Sequence, residues 1–346
     1  MEEIAVNLTG STLYSDYSRN DNGYSTASQN IYNHLYDAGL KMSKMSQEAE
    51  INISFAVPQH HLMLVNAYNI LYSAHETTEI CDRWVRCLNK GDEIWATSSW
   101  IAEAFKKRTN KEVHVVPHGV SGKFIPAKRK LQDNKFIFLH LGEPYIRKGG
   151  QVTVEAFIEE FGDNEDVILL IKCYPEGHTI RVPDKDGNLV APETIYKNIK
   201  TMSQSLTFSD YLKVLHNTHC LVYPSWGEGF GMMPLEAMAS GMPVISSWEW
   251  AEYKDDIKHK IESDLVPVPT RLPEYLKESY LGEVYMPRKE SIRKLMREVY
   301  ENHEQEFKEA AVKAVEVHKK WNWEDIIAKY AVPRLKEIKE KLNEGI

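Results

Sequence analysis

The chain of 346 residues carries 42 Lys and Arg against 50 Asp and Glu, a formal net charge of −8, and is 42% hydrophobic and 27% charged. That length accommodates two hydrophobic cores, and the composition is that of an ordinary globular protein. The acidic balance gives no global pull towards nucleic acid or anionic lipid, and no apolar run approaches the roughly 18–20 residues of a membrane span.

In chain order, the predicted strands of the first half are Ile4–Leu8, Ile51–Val57, Tyr68–Ser73, Glu93–Thr97 and Val113–Val116, with helices at about Ser25–Ala38, Glu79–Leu88 and Trp100–Arg108. The charged stretch Ala127–Lys135 reads as a linker. Beyond it the pattern restarts with strand Phe136–Leu141, helix Gln151–Phe161, strand Val167–Ile171, helix Ser209–Leu215, strand Cys220–Tyr223, a helix opening near Met232 and strand Val244–Ser246. Helices Ser291–Asn302, Gln305–Lys319 and a segment 321–341 close the chain. Strands alternating with helices predict parallel α/β layers, and such sheets bind ligands at the carboxyl ends of their strands. The opening Met-Glu-Glu-Ile lacks a basic region and an apolar signal core, so a cytoplasmic location is expected. Cys81, Cys87, Cys173 and Cys220 have no metal-ligand spacing and read as reduced thiols.

Residues 223–247, beginning Tyr-Pro-Ser-Trp-Gly-Glu-Gly-Phe-Gly-Met-Met-Pro-Leu-Glu, are the most informative stretch. A strand ends at Tyr223, Gly227, Gly229 and Gly231 make a turn, and a helix follows with Pro234 in its first turn. A helix N-terminus offers free N–H groups and partial positive charge, which suits a phosphate. Glu228 and Glu236 frame that anion site, and carboxylates beside a phosphate make sense when the ligand also carries hydroxyls. A sugar nucleotide has both.

This stretch resembles the Glu-x7-Glu signature of retaining glycosyltransferase family 4, matched by Glu228 and Glu236. The resemblance implies a GT-B architecture, two Rossmann-like domains facing across an interdomain cleft. The expected division is an acceptor-side domain at 1–126, a nucleotide-sugar domain at 127–320, and a terminal helix at 321–346 crossing back to the first domain. It implies Glu236 on the nucleotide ribose and Glu228 beside the donor sugar, with Gly229, Phe230 and Gly231 completing the donor loop. Leu-His-Leu-Gly-Glu-Pro-Tyr-Ile-Arg-Lys-Gly-Gly at 139–150 resembles the family's Arg-Lys branch, which implies that Arg147 and Lys148 neutralise the departing diphosphate. Glu143 stands where many members carry an arginine. His75, in Tyr-Ser-Ala-His-Glu-Thr-Thr-Glu, occupies the place of the family's cleft histidine, and Glu76 is a candidate for acceptor or sugar. Gly23-Tyr24-Ser25 resembles the family's first glycine loop, putting Gly23 near the pyrophosphate and Tyr24 on the acceptor side. His118-Gly119 matches an interdomain turn and reads as structural.

The implied reaction transfers a sugar from a nucleoside-diphosphate sugar to a hydroxyl with retention, with no metal or other cofactor, because protein cations and amides handle the phosphate charge. His75, Glu228, Arg147 and Lys148 are the catalytic candidates. The acceptor stays open between a glycan, a lipid-linked sugar, a protein and a hydroxymethylated base in DNA. A nucleotide-sugar-binding protein without catalysis and a GT-B epimerase are the other readings. Asp184-Lys185-Asp186-Gly187-Asn188 has the form of a metal-binding Asp-x-Asp, but its residues also form turns, and nothing near it in sequence supplies further ligands. Lys106, Lys107, Arg108 and Lys111, with Lys123, Lys128, Arg129 and Lys130, read as a solvated face, with contact to anionic lipid or a nucleic-acid backbone as the alternative.

Overall fold

The computed structural model describes residues 4–9, 23–44, 46, 48–131, 133–142, 146–173, 180–270, 272 and 274–345. The first half contains β1 (Ala5–Thr9), α1 (Gly23–Asp37), β2 (Lys41–Lys44), β3 (Ile51–Phe55), β4 (Tyr68–Ser73), α2 (Asp82–Leu88), β5 (Glu93–Ala96), α3 (Ser99–Lys106) and β6 (Val113–Val115). Its strands form one sheet in the order β2-β1-β3-β4-β5-β6, every neighbouring pair parallel.

The second half runs β7 (Phe136–Leu141), α4 (Gly150–Phe161), β8 (Val167–Lys172), a short β9–β10 hairpin (Val182–Pro183, Leu189–Val190), β11 (Ile199–Met202), α5 (Phe208–Asn217), β12 (Cys220–Tyr223), α6 (Met232–Ala239), β13 (Val244–Ser246) and β14 (His259–Lys260). A second hairpin, β15 (Ser263–Pro267) and β16 (Glu283–Pro287) with α7 (Glu274–Lys277) between, precedes α8 (Lys289–Glu301) and α9 (His303–Trp321). The main sheet has the order β11-β8-β7-β12-β13-β14. Apart from the hairpins this is the 3-2-1-4-5-6 order of dinucleotide-binding sheets, whose topological switch point falls between β7 and β12. The loops after those two strands carry Arg147, Lys148 and Glu228.

Local sequence explains these elements. In β7, Phe136, Phe138, Leu139 and Leu141 are buried, as expected of a central parallel strand covered on both faces. Ile292, Met296 and Val299 line one face of α8 at helical spacing and pack with Phe157 and Phe161 of α4. Ser98 caps α3 by accepting from the Ile101 N–H, and Thr207 caps α5 by accepting from Asp210.

The C-terminal segment runs through α10 (Trp323–Ile326), a π-helical stretch at Ile327–Ala331, and α11 (Val332–Glu344). Trp323, Ile327, Leu335 and Ile338 share one apolar core with Val6, Leu8, Ile53 and Phe55 of the first sheet, so this segment packs on the other half of the chain. Arg334 fastens it there: its Nη2 lies 2.6 Å from Oε2 of Glu93, a carboxylate with no solvent exposure. Among the described residues no helix is long and apolar enough to cross a membrane.

Part of the basic face read from the sequence is not solvated. Arg129 is buried within the second half, donating to the carbonyls of Gly241 and Leu215, each at 2.7 Å, and of Ser240 at 3.1 Å. Arg108 is committed to Glu79 and Asp82. A guanidinium satisfies carbonyls at loop and helix ends as readily as it faces water, and composition does not distinguish the two.

Candidate active site

The loops after β7 and β12 are stitched together through the backbone of Arg147, whose carbonyl accepts from the Trp226 N–H at 3.1 Å and from Ser225 Oγ at 3.2 Å. Gly149, at φ +72°, makes the approach possible, because a Cβ there would stand 2.3 Å from the Pro224 oxygen. The register brings Arg147 and Lys148 onto Glu228. Its Oε1 accepts from Lys148 Nζ at 2.7 Å, Ser225 Oγ at 2.6 Å and Tyr223 OH at 2.9 Å, and is ion-paired with Arg147 Nη1 at 2.9 Å. Burial opposes its charge, but Arg147 and Lys148 outweigh burial and hold the carboxyl at about 2. Glu228 is therefore a fixed anion that orders two cations. Burial lowers the pKa of Lys148 despite its neighbour Glu228, while Arg147 stays charged.

Arg147 Nη1 also donates to the Gly227 carbonyl at 2.8 Å, and Nη2 faces Glu76 of the first half at 3.9 Å. Tyr24 belongs to the same neighbourhood: its hydroxyl bonds the Ala74 backbone, and burial together with the charge of Glu76 raises its pKa. Its ring packs on Phe55 at 5.0 Å. Gly23 opens α1 opposite Met232, the first residue of α6, and a Cβ on Gly23 would lie 3.8 Å from Met232 Cε. The side chain that opens α6 thus meets the start of α1, where Tyr24 senses the charge of Arg147, and a helix N-terminus beside a cation suits a phosphate.

Glu236 lies one turn into α6, partly buried, with Tyr211 of α5 donating to its Oε2 at 2.9 Å. Burial raises its pKa to about 7. Glu228 and Glu236, eight residues apart, therefore sit at opposite ends of the carboxylate range.

The glycines of the signature loop have a role that the sequence did not show. Gly227 and Gly229 make room for the protein's own first half, and Gly231 for the Trp250 ring of its own half. A Cβ on Gly229 would be 2.6 Å from that of Ala74, and one on Gly231, at φ +76°, 2.3 Å from the Trp250 ring. Thr97 donates to the Gly229 carbonyl across the cleft. The Phe230 side chain points into protein, against His118 at 5.1 Å and Tyr253 at 5.5 Å, so it offers a ligand only its backbone. Gly119 lies against Trp323, where a Cβ would meet backbone at 2.7 Å, in keeping with a structural turn.

His75 is fully buried. Its Nε2 contacts Thr77 Oγ1 at 2.7 Å and the Glu79 carbonyl at 2.9 Å, and burial lowers its pKa, keeping the ring neutral near pH 7. It is placed to orient its loop. Asp184 Oδ1 accepts from the Asp186 and Asn188 N–H groups, each at 2.8 Å, so this carboxylate closes a turn. Among the described residues, Glu93, Glu112 and His114 come close enough together to hold a metal, but Arg334 already lies among them, 2.6 Å from Glu93 and 3.1 Å from Glu112. Glu143 and residues 174–179 lie outside the described residues. Tyr211, Tyr223 and Ser225, which hold the two glutamates, have no sequence pattern that marks them as their partners, although Tyr223 and Ser225 adjoin the signature glycines.

Residues 135–276 match the family model of glycosyl transferases group 1. The chain is 24% identical over 174 residues to putative glycosyltransferase 45 of Sulfolobus islandicus filamentous virus, which covers 48% of this chain and 45% of that protein. It is 28% identical over 144 residues to the lipopolysaccharide core biosynthesis mannosyltransferase LpsB of Rhizobium meliloti, covering 38% of this chain and 40% of LpsB. The match thus spans less than half the length of these curated relatives. Among solved structures it resembles Anabaena HepE in complex with UDP-glucose, with a TM-score of 0.60 at 11% identity over 98% of this chain and 100% of that one. It likewise resembles WaaG, a glycosyltransferase involved in lipopolysaccharide biosynthesis, with a TM-score of 0.60 at 12% identity over 94% and 98%. These likenesses establish the architecture: the chain has the GT-B fold, two Rossmann-like α/β domains facing one another.

Proposed function

We propose that this protein is a retaining glycosyltransferase that moves a hexosyl group, mannosyl being the first to test, from a nucleoside-diphosphate sugar to a hydroxyl acceptor. The observation that carries the reading is the convergence of Arg147, Lys148 and the signature loop that opens α6 at the switch point of the second sheet, with Glu236 one helical turn away. The region of the signature matches glycosyl transferases group 1, and LpsB is named a mannosyltransferase.

In this reading Glu236 accepts ribose hydroxyls while Arg147, Lys148 and the amides opening α6 hold the diphosphate. The acceptor oxygen bonds to the anomeric carbon on the face from which the diphosphate departs. The anomeric C–O bond breaks with its electron pair going to the diphosphate, whose oxygen takes the acceptor's proton. Glu228 is no nucleophile in this scheme. Its Oε1 is occupied by Lys148, Ser225 and Tyr223, and its part is to fix the two cations before charge develops on the leaving group. Commitment of Arg108 and Arg129 to internal partners weakens the case for DNA as the acceptor. The test is incubation with labelled UDP- and GDP-sugars, with and without acceptor, followed by assignment of the product's anomeric configuration by NMR. A product of inverted configuration removes the retaining mechanism, and no turnover of any nucleotide sugar removes the enzyme.

A further inference from the structure

The hairpin of β15 and β16 stands apart from the main sheet of the second domain and reaches the first. The Thr78 N–H donates to the Glu283 carbonyl at 3.1 Å, the Glu283 N–H donates to Thr78 Oγ1 at 2.8 Å, and Glu79 pairs with Leu281 in an isolated bridge. Gly282, at φ +75°, permits this contact, since a Cβ there would stand 2.6 Å from Thr78 Oγ1. The other side of the arm is rooted on the signature loop. Trp226, Leu272, Tyr280 and Val284 form a separate apolar cluster, and the Tyr285 N–H donates to the Trp226 carbonyl at 3.1 Å.

Tyr280 sits at the crossing. It is buried, its ring is edge-on to His75 at 6.1 Å, and its hydroxyl is within hydrogen-bonding reach of Glu76. Glu76 in turn faces Arg147 Nη2 at 3.9 Å, too far for a direct hydrogen bond. A hydroxyl between the two groups donates to the carboxylate and accepts from the guanidinium. Two buried polar atoms flank Tyr280, His75 Nδ1 and Trp226 Nε1, and neither has a hydrogen-bond partner among the described residues. Such orphans are uncommon in folded proteins and mark places where a further group is accommodated.

We propose that the β15–β16 arm is a clasp joining the two domains across the cleft, and that Tyr280 is a positioning residue which holds Glu76 opposite Arg147 to seat a sugar hydroxyl. The clasp stands on contacts within the protein, whereas the sugar hydroxyl rests on the transfer reading above. The hydroxyl belongs either to the donor sugar or to the acceptor.

Hydrogen exchange on the full chain tests the clasp. Peptides spanning 76–79 and 281–284 are expected to exchange slowly in the wild type, and both about tenfold faster in Thr78→Val. Fast exchange in the wild type, or release of one peptide alone, overturns the clasp whatever the enzyme does. Calorimetry with UDP, UDP-glucose, GDP and GDP-mannose tests Tyr280, alongside nucleotide release from the two nucleotide sugars with methyl α-mannoside as acceptor. Tyr280→Phe keeps the ring and leaves UDP and GDP affinity within about twofold. If the donor sugar supplies the hydroxyl, the variant loses about fivefold of the extra affinity of nucleotide sugar over nucleotide; if the acceptor supplies it, that gain persists and release falls about tenfold. No change in either quantity overturns the role of Tyr280. Failure of the wild type to bind any of the four removes the transfer reading and with it the hydroxyl, while the clasp is judged on exchange alone.

Discussion

The carbonyl oxygen of Glu76 stands where the side chain of any residue but glycine at position 227 would begin: a Cβ on Gly227 lies 2.0 Å from it. The signature loop of the second domain and the strand-end loop of the first are therefore in backbone contact, and Gly227 sets how closely the domains approach.

Gly227→Ala is expected to push the 74–76 loop away from Arg147. Overpacking of this kind costs roughly 1–3 kcal/mol, and a displacement of about 1 Å at reacting groups lowers rates by about 10²-fold. In the proposed reading the second domain supplies nucleotide affinity, which should then change far less than turnover. Wild-type turnover in Gly227→Ala, measured as nucleotide release, would show that this contact does not align the site.

Lys148→Ala is expected to lower turnover by about 10²-fold or more, the usual scale for losing a charged contact to the leaving group. Arg147→Lys should also fail, because one ammonium cannot reach Gly227, Glu228 and Glu76 as the guanidinium does. Combining Lys148→Met with Glu228→Gln removes an opposite-charge pair in contact at 2.7 Å, so the stability loss in the double variant should be smaller than the sum of the single ones. Thermal melts of the four proteins provide the cycle, and strict additivity contradicts the coupling described above.

The central strands were legible because burial on both faces leaves a nearly continuous apolar run, interrupted in the first only by His140: Phe136–Leu141 and Cys220–Tyr223 have the same limits in sequence and structure. Lys41–Lys44 and Ile199–Met202, at the outer edges of the two sheets, carry polar residues and gave no such signal. The Glu228 and Glu236 spacing pointed to a site through its glycines and helix start. The partners of these residues were hidden for a different reason: Tyr211 is 25 positions from Glu236 and Arg147 is in a different loop from Glu228, so only the folded sheet joins them. The arm at 263–287 depends on pairing between distant segments and on contact with Thr78, neither of which has a local pattern.

The opposed carboxyls predict an asymmetric pH response. With a pKa of about 7, Glu236 is largely protonated at pH 6 and ionised at pH 8. A ribose hydroxyl is accepted best by the carboxylate, so nucleotide affinity should weaken as pH falls below 7, by up to about tenfold per unit. Glu228, held at about 2, contributes no change in that window. Tyr211→Phe removes a bond that stabilises the ionised form and should move the midpoint upward, while Glu236→Gln should flatten the profile. Calorimetric titration with UDP and GDP between pH 5.5 and 8.5 reads all three; a midpoint unmoved in Tyr211→Phe argues against Glu236 as its source.

The attachment of the C-terminal helix to the first domain depends on a charge that has no access to water. Glu93 accepts from Arg334 and from Trp95 Nε1 at 2.6 Å, and Tyr68 donates to it at 3.1 Å. Arg334→Met leaves that carboxylate buried without its cation, a loss on the order of 3–5 kcal/mol. Glu93→Gln in the same background removes the uncompensated charge and should recover part of the loss. The double variant should therefore melt above Arg334→Met although it carries one more substitution. If it melts lower, Glu93 stabilises the helix attachment through its bonds to Trp95 and Tyr68, and the ion pair with Arg334 is secondary.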